Sequence, residues 1–397
     1  MSKAAVDRSI LEFPLWSDYK CVVHLAKIRW GDSRKVTCPH CSSSSEHYWQ
    51  KTRLRWKCKG CGSTFSVTSQ TVFANRRLSL QSILAAVHAW AAGAAGHAAL
   101  QTRRLIKTGG YNTTFTLQAK LREGLLRLGN TGLISGVVEM DAAHAGGRRA
   151  SEKRNRPQTF RVSSPEAAMN DALLTSSARS KQKRDEKKKT LAEGGRVGEY
   201  GAAHPDARRF VFTARQRSGV KGKGASITRI GVGLAESPEV AESIAEAYIA
   251  IPESILSTDS GNAFKRLGKQ FRLHLEVNHS ETLVGPDGQH NNNAESFTAR
   301  NDRAEKGVHL NIEEKYTHDY AVEMAFREDH RRMATGAQSD RALHFALNVG
   351  LSQFWRGFTH GKHRGYEILY PTDMPARASG PCKGRSPISS INGRPPR

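Results

Sequence analysis

The chain of 397 residues carries 61 lysines and arginines against 37 aspartates and glutamates, a formal net charge of +24. That length accommodates two or three domains with real cores, and the charge calls for a polyanionic partner. Neither a signal-peptide pattern nor an apolar run of about 18–20 residues is found, which argues against a membrane-spanning helix, favours nucleic acid over a lipid surface and sets a cytoplasmic, nucleoid-associated location as the expectation.

Residues 1–36 hold Phe13-Pro14, Trp16 and a stretch from Cys21 to Trp30 whose apolar residues recur at three- and four-residue steps, predicting an amphipathic helix. Residues 37–76 form the next unit. Cys38-Pro39-His40-Cys41 and Cys58-Lys59-Gly60-Cys61 are separated by 16 residues. This is the spacing of a zinc ribbon, in which four thiolates close a tetrahedral structural Zn²⁺ site with no open position for chemistry. Two such pairs are better explained by a metal in a reducing compartment than by disulfides. Cys21 and Cys382 have no partner in the pattern and read as a buried small side chain and a tail thiol. Between the knuckles, Tyr48-Trp49, Arg53, Arg55 and Trp56 suit a β-hairpin that either contacts DNA or simply covers the zinc.

Residues 77–130 are predicted helical. Ser79 is placed to cap a helix with Ile83, Leu84, Val87 and Trp90 on one face. The alanine-rich run from Leu80 to Leu100 contains Gln81, His88, Gly93, Gly96 and His97, and so reads as buried helices. A second helix is expected over 96–106, a turn at Thr108-Gly109-Gly110, and a third helix from Thr113 through Leu126 that displays Lys120, Arg122 and Arg127. The pattern is compatible with a helix-turn-helix that lays Lys120 and Arg122 in the major groove, and equally with three helices packed together away from DNA.

Residues 131–335 alternate between strand and helix patterns. Gly136 to Asp141 reads as a strand, followed over 148–206 by a basic insertion that includes Lys187 and Lys188. The insertion is either a nonspecific clamp on phosphate backbones or a solvated loop. Arg208–Arg215 and Ile227–Gly233 then read as a hairpin, 238–250 as a helix, 251–256 as a strand, Ala263 onward as a helix and 271–279 as a strand. Residues 336–397 are a C-terminal segment ending in a Pro/Gly/Arg-rich tail.

Asp141 and Asp259 each stand at the end of a strand, the edge where an open α/β sheet gathers its chemistry. Glu295 opens a helix, with 35 residues between it and Asp259. Singly, such acids are more often turn or cap residues. Together they are what an RNase H-like fold uses to hold two divalent metals, and carboxylate oxygens suit Mg²⁺ or Mn²⁺. The expected fold is therefore α/β, an RNase H-like mixed-sheet core preceded by a zinc ribbon and a small helical domain. His290 either meets a scissile phosphate or metal, or orients the glutamate helix. Glu139 shares a strand face with Asp141 and either supports it or meets a basic neighbour.

These residues resemble the ISXO2-like transposases of bacterial insertion sequences, in the DDE superfamily. The resemblance covers most of residues 10–335. It runs through Arg29-Trp30, the two knuckles, Thr71-Val72-Phe73, Val138-Glu139-Met140-Asp141 with Gly146-Gly147, Thr258-Asp259 and Asn278-His279-Ser280. Its most specific block is His290, Asn292, Glu295-Ser296-Phe297 and Gly307-Val308-His309. The resemblance implies a DNA transposase in which Asp141, Asp259 and Glu295 hold two Mg²⁺ ions, water nicks at the terminal inverted repeats, and the freed 3′-hydroxyl attacks double-stranded target DNA. Joining two ends implies a homodimer or larger assembly. The sequence departs from the family pattern at Ala142, where an acid is common, at Thr298, where tryptophan is common, and at Asp302, where lysine is common and where Arg303 is the neighbouring candidate for a phosphate contact. Two competing classes are a non-catalytic zinc-ribbon DNA-binding derivative, favoured by Ala142 and Asp302, and a nuclease of the same fold that cuts without joining.

Overall fold

The computed structural model describes residues 5–145, 209–220, 222–259, 261–277, 290–310, 312–364 and 366–370. The basic segment with Lys187 and Lys188, the Asn278-His279-Ser280 stretch and the tail lie outside them. The described residues form two compact units, one up to Leu133 together with those from Val322 onward, the other Ile134–Ala321. No helix among them is long and apolar enough to cross a membrane.

In the first unit, helix α1 (Asp18–Trp30) starts at Ser17, whose hydroxyl accepts from the Lys20 amide, and stops at Gly31, which takes a φ of 80°. Next come a two-stranded ladder, β1 (Lys35–Thr37) with β2 (Ser44–Glu46), and a three-stranded one of β3 (Tyr48–Gln50), β4 (Arg55–Lys57) and β5 (Thr64–Phe65). The β3–β4 hairpin pairs Trp49 with Trp56. Trp56 stacks on Phe65 while Trp30 of α1 sets its edge against both, so aromatic burial joins the first helix to the ribbon. Arg53 and Arg55 stay exposed. Helix α2 (Leu80–Ala92) is capped by Ser79 as expected. Helix α3 (Ala99–Ile106) starts three residues later than the sequence suggests, and α4 (Tyr111–Gly124) follows the glycine turn.

The second unit is built on β6 (Ile134–Ala145), β7 (Arg209–Arg217), β8 (Ala225–Gly233), α5 (Pro238–Tyr248), β9 (Ile249–Asp259), α6 (Asn262–Gly268), β10 (Leu273–Val277) and α7 (Asn292–Ala304). The sheet order is β10-β9-β6-β7-β8, with β7 antiparallel to both neighbours and β6, β9 and β10 parallel. This is the RNase H-like arrangement, a three-strand meander extended by helical crossovers. Strand β8 consequently runs in the same direction as β6 and β9, and their C-terminal ends share one sheet edge. Strand β9 extends further than expected, and Asp259 ends it rather than following it. A Cβ on Gly231 or Gly233 would fall 2.6 Å from Ile244 or 2.5 Å from Val240, so bare backbone lets α5 lie directly on β8. Near the start of β6 the register with β9 shifts at Gly136, whose φ is +78°.

Register places the acids. Glu139 pairs with Ser257 in the parallel β6–β9 ladder, so two residues on, Asp141 comes level with Asp259 on the same face. Across the antiparallel ladder, Thr213 faces Asp141 and Arg215 faces Glu139. Helix α7 packs against β6 and β7.

The chain then passes along α8 (Thr317–His330) to α9 (Thr335–Asn348), which packs on α2, α4 and α1 within the first unit. The segment after 335, which the sequence sets off only as a C-terminal segment, thus supplies a helix to the core of the helical domain, burying Leu343, Ala346 and Leu347. This burial overturns the expectation that α4 displays Lys120 and Arg122. Arg122 is only 2% exposed and donates from Nε to Glu323 Oε2 at 2.5 Å, while Arg327 donates to the other oxygen of the same carboxylate. Arg127 pairs with Glu123 at 2.9 Å. Lys120 is largely covered, and desolvation lowers its pKa. A helix wrapped in this way cannot offer that face to a DNA groove. What α4 exposes is its first turn, Tyr111 and Asn112, beside Arg104 and Lys107 at the end of α3.

Candidate active site

The three acids converge on one edge of the second unit. Asp141 Oδ1 accepts from the Ala142 amide at 2.9 Å and its Oδ2 from the Thr298 hydroxyl at 2.8 Å. Desolvation nevertheless pushes the Asp141 carboxyl up to about 6, and repulsion by Asp259 and Glu295 adds to the shift against those hydrogen bonds. Asp259 Oδ1 accepts from the Gly261 amide at 3.2 Å. Glu295 and Thr298 lie one turn apart on α7 and, with Asp141, Thr213, Asn301 and Asp302, line a cleft of about 260 Å³. Mutual repulsion among half-buried carboxylates is what a divalent cation would relieve, and oxygen donors suit a hard one.

Helix α7 is held in place by strand residues that carry no chemistry themselves. Glu139, fully buried, accepts at Oε2 from the amides of Asn293 and Ala294 at 2.8 and 3.1 Å, so its charge caps the N-terminus of the helix. Its Oε1 accepts from Asn293 Nδ2 at 2.7 Å and from Arg217 Nε at 2.6 Å. Arg217 also donates to the His290 carbonyl, Ser257 reaches that carbonyl at 2.9 Å, and Arg215 donates to the Asn293 carbonyl at 2.8 Å. Asn291 Nδ2 donates to the Met140 carbonyl at 3.0 Å. Strands β6, β7 and β9 therefore all grip the start of the helix that bears Glu295.

At the other end of the chain the four knuckle cysteines bring their sulfurs within 4.8 Å of one another. Cys38 and Cys61 are 3.8 Å apart and Cys41 and Cys58 are 3.5 Å apart, close to the roughly 3.8 Å edge of a tetrahedron with Zn–S bonds of about 2.3 Å. The knuckles repeat one turn, with the Ser42 amide on the Cys38 carbonyl and the Gly62 amide on the Cys58 carbonyl. The donor set fits zinc. Among the described residues no other group of His, Cys, Asp or Glu is so closely gathered; the three carboxylates are more widely spread. Residues 16–64 match the transposase zinc-ribbon domain, and residues 166–329 match the ISXO2-like transposase domain. The chain belongs to the ISXO2-like transposase family. The matched domain contains Asp259 and Glu295, while Asp141 precedes it and joins them through the sheet register. No curated protein and no solved structure matches the chain.

Other positions in this transposase are less central than the sequence suggests. His290 Nδ1 stands 3.5 Å from Glu139 Oε1, and desolvation and Arg217 lower its pKa. That location favours the helix-orienting role over contact with a phosphate. Arg303 is exposed and does not line the cleft. Asp302 does line it and pairs with Lys306 at 2.6 Å, so a lysine reaches this region from one turn further along. Thr298, in the sequence a departure from the family pattern, holds the Asp141 carboxylate. Glu236, which no motif singles out, lies between β8 and α5, and its pKa is raised by desolvation and by Asp259 and Asp141. The available signal was positional, an acid just beyond the C-terminal end of a strand parallel to β6 and β9.

Proposed function

We propose that this transposase cuts DNA at the ends of an insertion sequence and transfers the freed 3′-hydroxyl into target DNA, with Asp141, Asp259 and Glu295 holding two Mg²⁺ or Mn²⁺ ions. The observation that carries the reading is the β6–β9 register, whose Glu139–Ser257 pair brings Asp141 level with Asp259 two residues on, beside the helix of Glu295, in a chain of this family. Bound there, the cations would stabilise the attacking and leaving oxygens of an in-line displacement. The residues around them supply position. Thr298 fixes the rotamer of Asp141, and Glu139 with Arg217 fixes the helix end from which Glu295 projects. The duplex is held by exposed basic residues, Arg53 and Arg55 on the ribbon hairpin and Arg104 and Lys107 at the end of α3. Two ends are joined by a dimer or larger assembly on DNA.

The test is a mobilisation assay in which the flanking DNA brackets a marker, comparing wild type with Asp259→Asn and Glu295→Gln. Movement by wild type alone is expected. Binding of the flanks without cleavage would replace this reading with a DNA-binding derivative, and cleavage without joined products would replace it with a nuclease.

A further inference from the structure

We propose that Glu236 is a fourth carboxylate of the cation site, on the Asp259 side. The inference rests on the two-cation reading above and extends it to a residue outside the three-acid pattern.

Three observations converge on Glu236. Strand β8 ends at the same sheet edge as β6 and β9, and Glu236 follows its last residue, Gly233, by three positions, just before Ser237 caps α5. Helix α5 lies tightly on the bare backbone of Gly231 and Gly233, which fixes the start of the loop that carries Glu236. At the far side of that loop is Gly261. A Cβ at Gly261 would fall 2.9 Å from Asp259 Oδ1 and 3.7 Å from Glu236 Oε1, so the bare backbone lets the Asp259 carboxylate lie against it with the Glu236 carboxylate close to the same point. Gly261 has φ −62°, a conformation open to any residue, so its backbone does not require glycine there.

Charge gives this proximity its meaning. In a chain of net charge +24, Glu236 has no cationic partner among the described residues and is repelled by Asp259 and Asp141. Arg266, at the end of α6, is engaged with Glu239 and Glu242 of α5. A hard divalent cation keeps several waters and commonly uses one or two carboxylates. Glu236 supplies the second of these beside Asp259, directly or through a water.

The experiment uses the full chain, zinc-loaded, with Mn²⁺ alone as probe and free Mn²⁺ read by electron paramagnetic resonance. Glu236→Gln is expected to weaken Mn²⁺ binding about tenfold, the scale on which outer ligands of metal sites act, with the cation-free thermal transition not lowered. Glu236→Ala, which removes the same carboxylate from an exposed loop position, is expected to weaken it as well and gives a second reading should the first variant fold poorly. Glu253→Gln, exposed on β9, is the neutral control. Wild-type affinity in both Glu236→Gln and Glu236→Ala, with binding lost in Asp259→Asn, overturns the role of Glu236 and leaves the cation site standing. Retention of Mn²⁺ by Asp259→Asn overturns the two-cation reading itself.

Discussion

Glu139→Gln is the substitution that asks most of the structure. The buried carboxylate accepts four hydrogen bonds, two backbone amides on Oε2 and the Asn293 and Arg217 side chains on Oε1. Glutamine keeps one acceptor oxygen for two of these donors and turns an NH₂ group toward the other two. Two buried donors then lose their partner, and Arg217 loses its counter-charge. At 1–3 kcal/mol for each orphaned donor, and with the known cost of breaking a buried pair, the loss is about 3–5 kcal/mol. For a unit of this size a transition drops about 2–4 °C per kcal/mol, so thermal unfolding followed by circular dichroism should fall by roughly 10 °C. The molecule carries its own control. All six tryptophans, at positions 16, 30, 49, 56, 90 and 355, belong to the first unit, so their fluorescence should move less than the dichroism. A dichroism transition within about 2 °C of wild type would refute the argument that β6 anchors α7 through this charge.

Asp141→Asn should stabilise the cation-free protein at pH 7.5. With its carboxyl raised to about 6 in the fold, the folded state holds a proton that the unfolded chain releases near pH 4. This contribution to stability is present at low pH and disappears as pH rises through about 6, which leaves the ionised wild type weaker by roughly 2–3 kcal/mol. Denaturant melts from pH 4 to 7.5 should show the gain of the variant growing with pH, and Mn²⁺ should protect only the wild type. Mn²⁺ affinity of the wild type should also fall below about pH 6, which calorimetry across that range will read. Stripping zinc with a chelator should loosen the Trp30–Trp56–Phe65 cluster and shift tryptophan emission to the red; an unchanged spectrum in metal-free protein would show that the ribbon does not depend on zinc. Arg122→Met should destabilise the first unit by about 3–5 kcal/mol by leaving Glu323 with one arginine. Arg53→Ala with Arg55→Ala should instead keep stability and flatten the salt dependence of DNA binding by about one unit of slope per lost phosphate contact.

What could be read from the sequence followed from local chemistry. The zinc knuckles, the Ser79 cap and the turn at Thr108-Gly109-Gly110 are each specified by a few neighbouring residues, and hydrophobic patterning marked the strands, although the one through Asp141 runs on to Ala145, four residues beyond the end expected for it. The rest depends on distant partners. Lys120, Arg122 and Arg127 look like a basic helix face until Glu323, 201 positions away, closes on Arg122. Helix α9 has an ordinary amphipathic pattern that says nothing of which unit it joins. Glu139 was visible as a neighbour of Asp141 on one strand face, but its part in capping α7 depends on where α7 lands. Glu236 lies in a loop with no periodicity, and only the common direction of β6, β8 and β9 brings it to the acids.

Strand β6 also sets where this chain can change length. It carries Glu139, which holds a helix, and Asp141, a candidate ligand, on one face with a period of two. A single residue inserted between Gly136 and Asp141 would turn one or both to the opposite face, and removal of one would do the same. Beyond Asp141 the requirement lapses within four residues, since Ala145 and Arg209 are paired neighbours and whatever joins them starts and finishes at the same place on the sheet edge. The sequence between them runs to more than sixty residues where a short hairpin would suffice. Extra length is tolerated on the far side of the aspartate, and the near side is where a change of length should be most damaging.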